Sequence, residues 1–318
     1  MTIGSLDYAA RVRAGDRRAA ARLISLIENQ APEAADALSE LYPDTGKAFL
    51  IGITGPPGAG KSSLTDLLIA AIRQDGLTVG VIAVDPASPF TGGAILGDRI
   101  RMKSHAGDPG VFIRSMSSRG QLGGIALATK AATEVLDALG CQVILVETVG
   151  VGQSEVAIAQ ATDSTLLVLP PNLGDGIQAI KAGIMEVPDL FVVNKADLAG
   201  ANRAAAEILG MLELEEHEGW APPVVLTKSL MELHESGVLA LWDQLKLHRD
   251  YLNRTGLIAE KRSHQAREEV QSLTSDLLQR AMRQAMDRPD FQALLTEVQA
   301  RTMAPREAAE RLIAVLFP

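Results

Sequence analysis

Residues 48–62 read Ala48-Phe-Leu-Ile-Gly-Ile-Thr54, then Gly55-Pro-Pro-Gly-Ala-Gly-Lys-Ser62. An unbroken apolar run gives way to a glycine-rich loop, and a helical pattern over 62–74 follows. The loop matches Gly-x-x-x-x-Gly-Lys-Ser/Thr in full, in the strand–loop–helix setting that gives the pattern meaning. Glycines let backbone N–H groups turn inward around phosphate oxygens. Lys61 supplies a point charge for the β- and γ-phosphates, and the Ser62 hydroxyl suits Mg²⁺. Gly55, Pro56, Pro57, Gly58, Ala59, Gly60, Lys61, Ser62 and Ser63 are therefore the expected phosphate cradle.

Outward from this loop, apolar runs alternate with helical patterns from Phe49 to about His248. The runs are AFLIGIT, TVGVIAVD, VFIRSM, VILVET, STLLVLP, LFVVNK and PVVLTK. Most are continuous rather than alternating, as strands covered on both faces are. Helices are expected over 125–139 and 202–216. The sum is an α/β fold, a doubly wound and mainly parallel sheet. Residues 1–46 read as a helical extension, 47–250 as the nucleotide-binding domain, and 251–318 as a helical arm. The arm opens with one long amphipathic helix, which Asp287-Arg-Pro-Asp290 breaks before two shorter ones. Its apolar stripe must be buried, on its own domain or on a partner.

Asn194-Lys-Ala-Asp197 follows the sixth run and is the pattern of guanine readers. The Asp197 carboxylate can accept two hydrogen bonds from guanine N1–H and its 2-amino group. Adenine lacks that donor pair and would leave the acid unmatched. The Lys195 stem can lie along the base plane. Ser229, after the seventh run, is a candidate to close over the base. These positions predict GTP and GDP as ligands.

Glu147 ends the fourth run, where phosphate-loop proteins place an acid on the metal side. Most small switches use an aspartate there, one methylene shorter. A longer acid can reach the metal or its waters from a strand set further back. Asp85 ends the second run before Pro86, and Asp98 lies in GGAILGDRIRM. Mg²⁺ prefers few carboxylates and several waters. The expected set is Ser62 as a direct ligand, with Asp85, Asp98 and Glu147 divided between the metal and its waters. Gly150 can donate its N–H to the γ-phosphate and register its loss. Val151 follows Gly150 where fast GTPases carry a glutamine, so hydrolysis is expected to be slow without a partner.

The chain has 318 residues and is 47% hydrophobic, enough for a large core. Its net charge of −9 argues against nucleic acid as partner. No apolar run is long enough to cross a bilayer, and the amino-terminal stretch lacks the apolar core of a signal peptide. No membrane and a cytoplasmic location are expected. The single cysteine, Cys141, reads as a buried structural thiol. With scattered histidines it offers little to a nickel chaperone. A kinase reading lacks a base on the acceptor side.

Five blocks then become specific in combination: GITGPPGAGKSSL, IAVDPASPFTGGAILGDRIRM, FIRSMSSRGQLGG, ETVGVGQSE and NKAD. In this order they closely resemble the methylmalonyl-CoA mutase-associated GTPases, metallochaperone-like members of the phosphate-loop GTPases. Some of these carry an older label as arginine/ornithine transport-system kinases. The resemblance spans nearly the whole chain. It implies a homodimer that binds and hydrolyses GTP with Mg²⁺. It implies a partner, an adenosylcobalamin-dependent methylmalonyl-CoA mutase or a close relative, with its adenosyltransferase as a further candidate. The cobalamin belongs to the partner, and this chain would gate its loading and protect and reactivate the mutase. Asp85, Asp98 and Glu147 would be the magnesium-side acids. Lys181, in NLGDGIQAIKAG, would sit in a loop that answers to the partner, although by residue pattern alone it reads as a surface helix lysine. Where relatives carry Ser-Ala in the last base-contacting loop, this chain has Ser229-Leu230.

Overall fold

The computed structural model describes residues 5–85, 103–105, 107–117, 122–148, 158, 160–171, 188–214, 219–286 and 288–316. All seven apolar runs form strands: β1 Phe49–Thr54, β2 Val79–Asp85, β3 Val111–Ser117, β4 Val143–Thr148, β5 Ser164–Leu169, β6 Leu190–Val193 and β7 Val224–Leu226. They join in one sheet of order β3-β2-β4-β1-β5-β6-β7, and every pairing is parallel. β1, β4, β5 and β6 are buried at every position, which explains their continuous apolar text. The glycine loop leaves β1 at the centre of the sheet, where neighbouring connections run to opposite sides. That is where doubly wound sheets open a ligand crevice.

The helices follow from alternation of side chains across the sheet. α1 (Ser5–Arg13), α2 (Arg17–Glu28), α3 (Pro32–Leu41) and α5 (Leu122–Ala138) share one core with Ile82, Ile144 and Val146. The opposite face buries Val81, Val143 and Leu145 against α4 (Lys61–Gln74) and α7 (Val238–Thr255). α6 (Ala201–Leu212) covers β5 and β6 through Leu167, Phe191 and Ile208. The amino-terminal helical region consists of the three helices α1, α2 and α3. Asp16 caps α2 by accepting from Arg18 and Ala19 N–H, and Pro32 opens α3 where its missing donor costs nothing. Cys141 is buried, and that burial pushes its thiol up to about 12, as befits a packing residue.

Two compact units divide the chain, residues 1–265 and 266–318. α8 (Leu257–Met286) passes from the first into the second. Its first turns are fastened within the first unit. Lys261 Nζ donates to Asp163 O at 2.9 Å and Gln265 Nε2 to Thr162 O at 3.1 Å. Arg262 grips both Asp163 carboxylate oxygens, at 3.1 and 2.9 Å. In the second unit, the rest of α8 precedes α9 (Pro289–Gln299) and α10 (Pro305–Leu316). Ala285, Met303, Ala308 and Leu312 are buried there, while Val270, Leu273, Leu277 and Leu278 lie exposed along α8.

Candidate nucleotide site

Gly55 and Gly60 show why the loop after β1 needs glycine. Gly55 has φ +138°, and a Cβ there would fall 2.0 Å from Val168 O. Gly60 has φ +91° and caps α4 in the left-handed region, with room for a Cβ denied by Asn194 Nδ2 at 2.4 Å. The loop thus turns back tightly enough to aim the first N–H groups of α4 at one point. Lys61, the first residue of α4, is buried, and its ammonium donates to Gly55 O at 2.7 Å and Pro56 O at 3.2 Å. The charge is therefore held over the loop that would cradle phosphate.

Glu147 lies beside this loop because β4 neighbours β1, in register with Ile53, and β2, in register with Ala83. It is 6% exposed. Its Oε1 accepts from Ser62 Oγ at 2.6 Å and its Oε2 lies 3.1 Å from Thr65 Oγ1. Ser62 and Thr65 are three residues apart on α4 and share a face. The extra methylene of glutamate carries the carboxylate across to that helix. A hydroxyl that gives its proton to a carboxylate turns its lone pairs elsewhere, so Ser62 and Glu147 fit a hard, oxygen-seeking cation such as Mg²⁺. Thr65 escaped the sequence reading. Its only signal was a second hydroxyl one turn after the Gly-Lys-Ser pattern.

In Asn194-Lys-Ala-Asp197 the residues divide their labour. Asn194 is fully buried and joins two loops. Its Nδ2 donates to Ala59 O at 2.8 Å and to Ser229 Oγ at 3.0 Å. Its Oδ1 accepts from Thr227 Oγ1 at 3.1 Å and Ser229 N at 3.2 Å. Lys195 sits at φ +57° and reaches back to Gly58 O at 2.7 Å, so its stem extends toward the phosphate loop. Left-handed backbone in a non-glycine residue costs roughly 1 kcal/mol and persists only where the surroundings hold it. Asp197 is exposed. Ser229 is nearly buried, and the Leu230 side chain projects into solvent.

The structure thus brings Gly55 through Ser63, Glu147, Asn194, Lys195, Asp197 and Ser229 to the carboxyl edge of the sheet. Asp85 closes β2 one strand from Glu147, and its side chain lies outside the described residues. Asp98, Gly150 and Lys181 also lie outside them.

Similarity to known proteins agrees with this geometry. A Pyrococcus abyssi protein carrying the name GTPase is 50% identical over 307 residues, which is 95% of this chain and 94% of the other. The mitochondrial methylmalonic aciduria type A homolog of Mus musculus is 34% identical over 271 residues, 83% of this chain and 65% of the other. A crystal structure of an LAO/AO transport system kinase superposes with a TM-score of 0.72 at 26% identity, covering 99% and 98% of the two chains. The family described as methylmalonyl Co-A mutase-associated GTPase MeaB matches residues 20–287. By its fold, its phosphate loop and that match, this chain belongs to the MeaB family of phosphate-loop GTPases.

Proposed function

We propose that the chain is a Mg²⁺-dependent GTPase, slow alone and stimulated by its partner, that serves an adenosylcobalamin-dependent methylmalonyl-CoA mutase. It would gate cofactor loading, protect the mutase and reactivate it, with cobalamin held by the mutase and not by this chain. The observation that carries the GTPase part is the network around Asn194. One buried amide ties the phosphate loop at Ala59 to the base-side loop at Ser229, so both ends of a guanine nucleotide are read by one rigid unit. Lys61 would neutralise β- and γ-phosphate charge, and Asp197 would select guanine. Ser62 and Glu147 would hold Mg²⁺ with Asp85 and Asp98, and the ion would supply charge neutralisation at the phosphates. Gly150 would register the γ-phosphate, and Lys181 would belong to the loop that answers to the partner.

Support for the mutase part comes from the family description and the name of the mouse relative. The exposed stripe Val270, Leu273, Leu277 and Leu278 supports a homodimer made through the arm 251–318, with 1–46 and 47–250 as extension and GTPase domain. Among the described residues no helix is long and apolar enough to cross a membrane, and a cytoplasmic site of action is part of the reading. The test is co-purification from native extract with a non-hydrolysable GTP analogue or with GDP. A cobalamin mutase, with or without its adenosyltransferase, is expected with one nucleotide state over the other. Its absence from both overturns the mutase assignment. The solved relative is named a kinase, so labelled γ-phosphate should also be followed. Free phosphate supports hydrolysis, and label on an acceptor overturns it.

A further inference from the structure

We propose that Thr65 is a positioning residue for the magnesium-side acid, acting with Ser62 as a two-point clamp on the Glu147 carboxylate. This rests on the GTPase reading above and extends it to a residue outside the Gly-Lys-Ser pattern. The ordinary role of a helical threonine is to bond back to the carbonyl four residues earlier. Thr65 does so, with Oγ1 at 2.9 Å from Lys61 O. The same oxygen lies 3.1 Å from Glu147 Oε2. One hydroxyl proton is thereby shared between the backbone of the phosphate-binding lysine and the acid.

Several features make this more than packing. Thr65 and Glu147 are both buried, so the contact is formed away from bulk water, where hydrogen bonds to an ionised group are strong. β-Branching limits the Thr65 rotamers on a helix, and bonding to Lys61 O selects one of them. The donor is stiff where serine would be loose. Glutamate has one more rotatable bond than aspartate, and holding it still costs on the order of 1 kcal/mol of rotamer freedom. Ser62 donates to one carboxylate oxygen, Oε1. Thr65 holds the other oxygen and so fixes the plane of the carboxylate. With the plane fixed, so would be the direction in which the acid could meet a bound Mg²⁺ or its waters. The longer acid at the end of β4 and the second hydroxyl on α4 are thus one device.

The test uses the full chain and fluorescent GDP, whose dissociation is timed across a Mg²⁺ titration. The wild type is expected to hold GDP longer as Mg²⁺ rises. Thr65→Val keeps the shape and removes the hydroxyl. It should need about 10-fold more Mg²⁺ for the same slowing, the typical consequence of losing a group that orients a metal ligand. Thr65→Ser should stay within about threefold of wild type. If Thr65→Val folds poorly, Thr65→Ala makes the same deletion with the residue a helix accepts best. A merely structural Thr65 predicts a lower melting temperature with an unshifted Mg²⁺ midpoint, and that result overturns the proposal. A wild-type chain that shows no Mg²⁺-dependent GDP retention overturns the reading beneath it. The two failures are therefore told apart by the wild-type curve alone.

Discussion

The two edges of the sheet bury polar groups in different company. At the amino edge, Asp163 is almost wholly buried and is matched by Arg262 and by Leu50 N–H at 2.9 Å. Arg262 also donates to Ala48 O and Gly46 O, and Asp137 accepts from Gly46, Lys47 and Ala48 N–H. Burial pushes the Asp137 carboxyl above its ordinary value, with those donors working against the rise. This cluster fastens the start of β1 and the root of α8. At the carboxyl edge, Glu147 is held by two hydroxyls and Lys61 by two carbonyl oxygens. The amino edge pairs a buried acid with a cation and ties both to backbone, whereas the contacts described at the carboxyl edge set hydroxyls against the acid and carbonyl oxygens against the ammonium. The first arrangement is an anchor, and the second lies where a doubly wound sheet opens its ligand crevice.

The sharpest way to break this contrast is to remove one ion from each edge. Lys61→Ala should lower GTP turnover by about 10³-fold, since a preorganised charge on the transferring phosphate is a large part of such catalysis. Its unfolding free energy should fall by less than that of Arg262→Met, because the alanine leaves no buried charge unmatched. Arg262→Met should do the reverse. It leaves Asp163 buried without its cation, a loss of about 3 kcal/mol in urea unfolding, while GDP affinity stays near that of wild type. If Arg262→Met weakens GDP as much as it weakens the fold, the two edges are coupled and the contrast fails.

Much of this was legible in the text of the chain, for reasons that differ by region. The buried strands announced themselves because parallel strands covered on both faces need continuous apolar residues. The phosphate loop was legible because backbone geometry there tolerates few residue types, as Gly55 and Gly60 demonstrate. The amino-edge cluster was not legible. Asp163 and Arg262 stand 99 positions apart, and neither residue type nor local spacing links them. Thr65 stayed hidden because a threonine on a helix has an ordinary explanation. Asn194 was found, but as a base reader. Its role as a strut between two loops depends on which carbonyls the fold brings near, and no local pattern encodes that.

A smaller effect sharpens the carboxyl edge itself. If Asn194 is the strut and Asp197 the reader, their loss should look different. Asp197→Asn should lower GTP affinity by about 10²-fold by removing a charged acceptor from the guanine donors, and leave the melting temperature nearly unchanged. Asn194→Ala should lower both, because Ala59 O, Thr227 Oγ1 and Ser229 N lose a shared partner. Calorimetry with GTP and thermal melts of the same preparations read the two columns. Equal melting temperatures in both variants would contradict the strut.

The weakest expected effect isolates the amino edge through pH. His248 is buried against Ser164, with Ser164 Oγ 2.6 Å from Nδ1 and Asp189 Oδ1 3.4 Å from Nε2. Burial holds its pKa below the ordinary value, Lys261 adds to the depression, and Asp189 and Asp163 oppose it. The unfolded chain takes up a proton near pH 6.5, which the folded chain declines until lower pH. Stability from this group is therefore complete above about pH 6.5 and is lost as pH falls from there through the folded-state value. Wild-type unfolding free energy should drop more steeply between pH 7.5 and pH 5 than that of His248→Gln, which cannot titrate. GDP affinity should show no such difference between the two proteins, because the histidine belongs to the anchoring edge. Parallel stability curves would mean that His248 accepts its proton as readily folded as unfolded, and that the anchor is open to water after all.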